Sequence, residues 1–481
     1  MRKNILPLIW LFLIPVSLNA TTYYVATDGS DSNAGTKDKP FATLNAAQNK
    51  VVAGDTLYFR GGTYSIRENQ IMGYEVNDLY ACVFDLSKSG TATKPICYFG
   101  YPGERPVFDL SKVKPANKRI SVFYLNGSYL HFKNFEIIGT QVTITTHTQS
   151  ECFSGRNGSS NIIENVAMHN GMAIGVYIVK GSNYLVLNCD AYNNYDTVSE
   201  GGKGGNVDGF GCHVAAQYTG NVFRGCRSWC NSDDGFDLIN NYAPVTFDNC
   251  WSFYNGYQNY TTLTPGDGNG FKAGGYGSKV QAGIVEAPRN TVENCIAYHN
   301  KANGFYANHH LGGNNWYNNS AYLNKYNYDM VNQLSWDNDS DVDGYGHVLV
   351  NNISFNGSKG DYLYISTAKC TLLNNSFLST SYNVSASDFE STDYTQLAAP
   401  RQADGSLPEI TFLKLKPTSE FYSAKMGYQF HYGEVTGIND VVIPTFSRTT
   451  VYDNKYYNLM GIQIDRPGKG VFIFNGKKIM K

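Results

Sequence analysis

The chain is poor in charge. Only 16% of its 481 residues are Asp, Glu, Lys or Arg, and 38 basic against 40 acidic residues leave a formal net charge of −2. No basic face of the kind that neutralises phosphates is implied, so nucleic acid is not an expected partner. The ten cysteines form no C-x-x-C pairs, which argues against a zinc module. After residue 20 no apolar run is long enough to span a bilayer. Helix signals are sparse. Gly (48) and Tyr (37) are abundant instead, a composition that suits short strands, tight turns and aromatic surfaces on which sugars stack.

Residues 1–20 have the form of a secretory signal. Arg2 and Lys3 precede an apolar run from Ile5 to Leu18, broken by Pro7 and Pro15, and Ala20 is a plausible cleavage end. Leu18 is a poor fit at the −3 position. No Cys follows the cleavage point, so a lipoprotein is not expected. The mature chain is expected outside the cytoplasm: periplasmic, cell-surface or extracellular. Such a compartment permits disulfides.

A five-residue phrase recurs: Asn or Gly, then Cys or Asn, any residue, Ala or Ser, and an aromatic. Its copies are Asn188-Cys189-Asp190-Ala191-Tyr192, Gly225-Cys226-Arg227-Ser228-Trp229, Asn249-Cys250-Trp251-Ser252-Phe253, Asn294-Cys295-Ile296-Ala297-Tyr298, Asn318-Asn319-Ser320-Ala321-Tyr322 and Asn351-Asn352-Ile353-Ser354-Phe355, with a weaker one at Glu164-Asn165-Val166-Ala167-Met168. Placing the second slot at 165, 189, 226, 250, 295, 319 and 352 gives gaps of 24, 37, 24, 45, 24 and 33. A period of 24 with insertions of 13, 21 and 9 accounts for all of them. Short strands repeating at that period are the coils of a parallel β-helix, an all-β solenoid. Coils stack roughly 4.8 Å apart, so like residues pile into ladders. Cys189, Cys226, Cys250 and Cys295 are expected as a buried row of thiols, continued by Asn319 and Asn352. A disulfide between two of the thiols is the alternative at this spacing.

Residues 43–52 have a helical apolar pattern with Thr43 as N-cap, suited to covering the open end of the solenoid. The domain expectations are a signal at 1–20, a β-helix at 21–400 and an extension at 401–481, with Pro400 to Leu407 as linker. The tail from Val451, with Gly470-Val471-Phe472-Ile473-Phe474-Asn475-Gly476-Lys477-Lys478, resembles the β-rich C-terminal tails of many exported bacterial proteins.

A second phrase, x-Gly-Phe-x, falls between the ladder phrases: Asp208-Gly209-Phe210-Gly211, Asp234-Gly235-Phe236-Asp237, Asn269-Gly270-Phe271-Lys272 and Asn303-Gly304-Phe305-Tyr306. On successive coils the last slots stack, placing Lys272 one coil spacing, roughly 5 Å, from Asp237. With Asp233, four carboxylates gather on two adjacent coils: Asp208, Asp233, Asp234 and Asp237. Unpaired, they repel one another and raise their own pKa values. A hard dication with six to eight oxygen ligands relieves this, and Ca2+ suits irregular geometry better than Mg2+ does. A solvated acidic turn is the bland alternative, and the adjacent lysine speaks against it. Cation, acids and lysine together suit β-elimination on a uronic acid: the cation neutralises the sugar carboxylate, and a neutral lysine takes the C5 proton. An alkaline optimum is expected, because an ordinary lysine is protonated at neutral pH.

Taken together, Asn231-Ser232-Asp233-Asp234-Gly235-Phe236-Asp237, Asp208-Gly209-Phe210 and Gly268-Asn269-Gly270-Phe271-Lys272 resemble family nine of the polysaccharide lyases, from about residue 22 to 385. The resemblance implies a right-handed parallel β-helix and a pectate or rhamnogalacturonan lyase. It also implies Asp208, Asp233, Asp234 and Asp237 as calcium ligands and Lys272 as base. Both activities occur in that family, so polygalacturonate and the rhamnogalacturonan-I backbone both stand as substrates.

Lys203, Arg227, Tyr306, His309 and His310 fall near the same face in this register and are expected to contact substrate, with plain surface as the alternative. His309 and His310, adjacent on a strand, point apart and do not suggest a metal pair. Arg289 and Lys301 are expected as solvated charges. The chain is expected to be a monomer. An inverting glycoside hydrolase using Asp208, Asp233 and Asp234 would need no calcium and leaves Lys272 without a task. A non-catalytic β-helix adhesin leaves all five residues without one.

Overall fold

The recurring phrase begins with Asn or Gly because the chain turns left-handed there. Asn188, Gly225, Asn249, Asn294, Asn318 and Asn351 have φ between 51° and 63°, a region that Gly enters freely and Asn at modest cost. The bend swings the next residue inward, and Cys189, Cys226, Cys250, Cys295, Asn319 and Asn352 are all fully buried. A three-residue strand follows each bend. These strands stack in parallel, with Ala191, Ser228, Ser252, Ala297, Ala321 and Ser354 in one column.

The computed structural model describes residues 20–275, 287–379 and 381–429, and the backbone of four short strands after residue 455. The expected signal therefore lies almost wholly outside the described residues. The rest is a parallel β-helix with three strands per coil. One coil runs through Arg227–Trp229, Phe236–Asp237 and Val245–Asp248, and returns at Trp251. The first and third strands of each coil belong to a 20-stranded sheet, and the middle strands form an 11-stranded sheet.

The interior is built from stacked like residues. Phe210, Phe236, Phe271, Phe305 and Tyr328 occupy one inward column, with ring centroids 4.7–5.2 Å apart. All ten cysteines are free thiols, so the ladder cysteines pack rather than cross-link. The row passes into amides: Cys295 N donates to Asn319 Oδ1 (2.9 Å), Asn319 Nδ2 to Asn352 Oδ1 (3.1 Å), and Asn352 Nδ2 to Asn375 Oδ1 (2.8 Å). The weak copy at 164–168 is one residue out of register. Ala167 pairs with Asp190 and Met168 with Ala191, so Val166, not Asn165, lies beside Cys189.

A second amide ladder, outside the repeated phrase, holds the turn that leads into the 11-stranded sheet. Asn194, Asn231, Asn255, Asn300 and Asn324 are nearly or fully buried. Each Nδ2 donates to the next Oδ1 at 3.0–3.1 Å. Each also donates to a strand carbonyl, such as Asn231 to Ala191 O (2.9 Å). Buried turn carbonyls and amides are thereby satisfied without water.

At the start, Leu44–Gln48 is the expected helix, with Thr43 capping it by accepting from Ala46 N (3.2 Å). Leu44 and Ala47 enter the core there. After residue 385 the chain folds back over the 20-stranded sheet. Phe389, Leu397, Phe412, Phe421 and Met426 pack on Trp229, Trp251, Phe253 and Tyr298. The segment expected as a linker is pinned: Arg401 forms an ion pair with Asp190 at 2.7 Å. Residues 401–429, read as part of the extension on sequence, thus belong with the coils, and a separate compact unit begins at His431. That unit holds a four-stranded antiparallel sheet of Tyr456–Tyr457, Gln463–Ile464, Val471–Phe474 and Lys477–Met480. Among the described residues no helix is long and apolar enough to cross a membrane.

Candidate active site

Each x-Gly-Phe-x phrase enters a strand of the 11-stranded sheet. Its glycine is required by a close approach: a Cβ on Gly209 or Gly235 would lie 2.2 Å from Ser228 Oγ or Ser252 Oγ. The phenylalanine points inward and the last slot outward. Pairing puts Gly211, Asp237, Lys272, Tyr306 and Asp329 in one outward column, the stacking expected from the spacing. The extra residues of the long coils flank this sheet. Loops 195–207 and 256–268 lead into the strands Phe210–Cys212 and Phe271–Lys272, and the hairpin Asn332–Ser335 with Asn338–Val342 follows Tyr326–Asp329.

Asp208, Asp233, Asp234, Asp237 and Lys272 converge, and all five are buried. Lys272 Nζ lies 3.1 Å from Asp234 Oδ2 and 3.5 Å from Asp237 Oδ2. Backbone and amide donors fix the carboxylates. Asp234 N donates to Asp208 Oδ1 (3.2 Å), Asp267 N to Asp233 Oδ1 (2.8 Å) and Ile239 N to Asp237 Oδ1 (2.7 Å). Asn269 donates to Asp234 Oδ1 through both N (2.6 Å) and Nδ2 (2.8 Å).

Burial, and then the neighbouring carboxylates, push Asp208 and Asp233 well above the usual range. Burial also raises Asp234, against the pull of Lys272. For Lys272, burial favours the neutral amine, but Asp234, Asp237, Asp233 and Asp208 together hold its proton more tightly than usual. Ionised together, the four carboxylates would carry more negative charge than one lysine can balance, and the raised pKa values express that cost.

Carboxylate oxygens of Asp208, Asp234 and Asp237 lie within 4.8 Å of one another, as do those of Asp233, Asp234 and Asp267. Asp234 Oδ2 is buried and has no donor in hydrogen-bonding geometry, although Lys272 Nζ is near. An all-oxygen donor set with surplus charge and an unsatisfied buried oxygen fits a hard cation such as calcium. Asp267 is an added candidate that the phrase spacing missed, because it precedes the phrase. His213 was also missed. It lies 3.8 Å from Asp237 Oδ2 and pairs with Tyr177 Oη at 3.0 Å.

Of the other expected residues, Tyr306 is beside Lys272 in the column, and Lys203 is exposed on loop 195–207. Arg227 is elsewhere. It sits on the 20-stranded sheet, 3% exposed, paired with Asp190 (2.8 Å) and donating to the carbonyls of Leu397 (3.0 Å) and Ala399 (2.7 Å). Its task there is to hold the returning segment. His309 bonds Asp341 of the hairpin at 2.8 Å. His310 points the other way, fully buried, bonded to Pro288 O, and burial lowers its pKa to about 4, so it is a structural residue. Lys301 is not simply solvated. It braces loop 256–268 through the carbonyls of Thr264 (2.8 Å) and Gly266 (2.5 Å). Arg289 is exposed but ties down Gly346 O at 2.8 Å.

Residues 23–352 match the model of the family described as Pel9A-like, right handed beta helix region. The chain belongs to this family. Pectate lyase L of Dickeya chrysanthemi is 33% identical over 411 residues, covering 84% of this chain and 85% of that one. A solved rhamnogalacturonan lyase superposes with a TM-score of 0.81 at 49% identity, covering 85% and 99%. The structure of pectate lyase Pel9A gives 0.64 at 30% identity, covering 84% and 91%. Within the Pel9A-like family this protein is a polysaccharide lyase, and its β-helix is right-handed.

Proposed function

We propose that this Pel9A-like chain is an exported, calcium-dependent lyase that cleaves the uronate-containing backbone of pectin by β-elimination, with Lys272 as base. The observation that carries this reading is Lys272 set among four buried aspartates on one outward face. The 49% identity to a rhamnogalacturonan lyase, against 30% to a pectate lyase, favours the rhamnogalacturonan-I backbone over polygalacturonate.

Asp208, Asp233, Asp234 and Asp237 would hold the ion, with Asp267 at the rim. Bound calcium supplies neutralisation of the sugar carboxylate and of the enolate-like charge that develops at it. The protein does the rest. Asn269 and the backbone amides keep the carboxylates from turning away. Asp234 and Asp237 aim Nζ of Lys272, which in its neutral form takes the C5 proton. The electron pair left at C5 forms the C4–C5 double bond, and the C4–O4 bond breaks with the leaving sugar. Activity should rise with pH as Lys272 loses its proton, giving an alkaline optimum.

The test follows absorbance of unsaturated product on rhamnogalacturonan-I and on polygalacturonate, with calcium and with a chelator. Product only with calcium, lost by at least about 10²-fold in Lys272→Ala, is expected. Reducing ends without the ultraviolet signal would mean hydrolysis and would end this reading.

A further inference from the structure

The outward column that carries Lys272 continues toward the start of the chain as Gly211, Tyr177, Ser154 and Tyr124. Beside it, just past the strand Ser150–Gly155, is Arg156. A guanidinium has five N–H groups and no ordinary way to lose its charge. Here one of them, on Nη2, donates to Glu151 Oε1 (2.5 Å). Nε is buried without an acceptor, and among the described residues no acceptor but Glu151 meets the group. Its side chain is nonetheless only 11% exposed.

Glu151 is fully buried and accepts from Ser121 Oγ (3.2 Å) and from Ser154 Oγ. The carboxylate is thus a fixed anchor below the guanidinium. Rings of Tyr80, Tyr177 and Tyr124 surround it, with centroids 4.6, 5.7 and 6.0 Å from Cζ. The arginine is held in place by one buried carboxylate and the rings around it, and is left with unused donors. Leaving such donors unmet in a buried setting is costly, and a planar fork of them matches a carboxylate.

The place is joined to the reaction centre. Tyr177 Oη bonds His213 Nδ1 at 3.0 Å, and His213 Nε2 is 3.8 Å from Asp237 Oδ2. From Ser154 to Lys272 is four coil steps, roughly 4.8 Å each. That is the reach of a short oligosaccharide, not of one sugar.

We infer that Arg156, set by Glu151 on a floor of tyrosines, is a distant subsite that takes the carboxylate of a second uronate of the same glycan chain. The inference rests on the lyase reading and adds the demand for an acidic chain long enough to span four coils. It makes Arg156 a binding residue, not a catalytic one.

The experiment compares wild type, Arg156→Ala and Arg156→Lys on rhamnogalacturonan-I oligosaccharides of graded length, with thermal melts alongside. Expected is a KM raised roughly ten- to a hundredfold on long substrates, kcat within about twofold, no change on the shortest cleaved oligosaccharide, and partial recovery in Arg156→Lys. An equal effect at every length, or a lowered melting temperature with unchanged KM, would make Arg156 a structural residue and overturn the inference. Calorimetric binding of the long oligosaccharides to Lys272→Ala and to Lys272→Ala/Arg156→Ala reads the subsite without catalysis. Weaker binding only in the double variant supports the subsite, and equal binding refutes it. Failure of the wild type to form unsaturated product would refute the reaction alone.

Discussion

At the scale of single residues, two features outside the carboxylate cluster have measurable consequences. Gly235 sits between the ligand candidates Asp234 and Asp237, and a Cβ there meets Ser252 Oγ at 2.2 Å and Gly270 O at 2.7 Å. The second neighbour is backbone, so Gly235→Ala must displace the strand. A loss of about 1–3 kcal/mol in denaturant unfolding is expected, together with reduced activity as the strand carrying Asp237 shifts. Glu293 gives a pH effect. It follows Asp248 in an outer column, and Asp248 is already paired with Arg224 at 2.6 Å. Burial, and then Asp248, push the Glu293 carboxyl up to about 7. A carboxyl with a raised folded pKa binds more protons folded than unfolded. The wild type therefore loses stability as pH rises from the ordinary carboxylate range to about 7, and the loss stays constant above that. Glu293→Gln removes this pH dependence. Melts should coincide near pH 4 and favour the variant above pH 7, by on the order of 1–3 kcal/mol. Equal pH profiles for the two proteins would refute the assignment.

At the scale of elements, the asparagine ladder from Asn194 to Asn324 sets the turn that launches the acids, since Asn231 directly precedes Ser232, Asp233 and Asp234. Asn255 Nδ2 donates to Ser228 O (3.1 Å), and its Oδ1 accepts from Asn231 Nδ2 (3.1 Å). Asn255→Leu deletes both bonds and leaves buried partners unmet, a loss of about 1–3 kcal/mol per orphaned group. Activity should fall further than stability alone explains, because the turns on either side shift the acids. Comparing calcium affinity with unfolding free energy separates the two effects. This ladder was legible in the sequence, five residues after each Cys or Asn slot, but it stood outside the repeated phrase. The position of Arg227 was not legible. Its partners Leu397 and Ala399 are some 170 residues away, in a segment with no period.

At the scale of the whole molecule, the fold ties a charged site to stability. Four buried carboxylates against one lysine destabilise the metal-free protein, and a cation bound only by the folded state stabilises it by mass action, about 2.7 kcal/mol at a hundredfold excess over Kd. Calcium should raise the melting temperature, a chelator should reverse the rise, and Asp234→Asn should shrink it strongly. An unchanged melting temperature would count against a cation at these aspartates. The returning segment at 385–429 covers the row of Trp229, Trp251 and Phe253. Truncation after residue 384 should expose that face and yield aggregating protein, which light scattering would reveal.

The sequence by itself determined the coil period, the ladders, and the convergence of Asp208, Asp233, Asp234, Asp237 and Lys272. Each of these follows from a repeat whose neighbours along the solenoid axis are one period apart in the chain. What has no period was decided only by tertiary structure. The one-residue slip at 164–168 came from strand pairing, and the capture of Arg227 by Asp190 and the returning segment came from a fold-back. His310 turned inward while His309 turned out, and Asp267 reached the cluster through loop 256–268, held by Lys301. In each case the partner is chosen by packing between segments distant in sequence, where spacing carries no information.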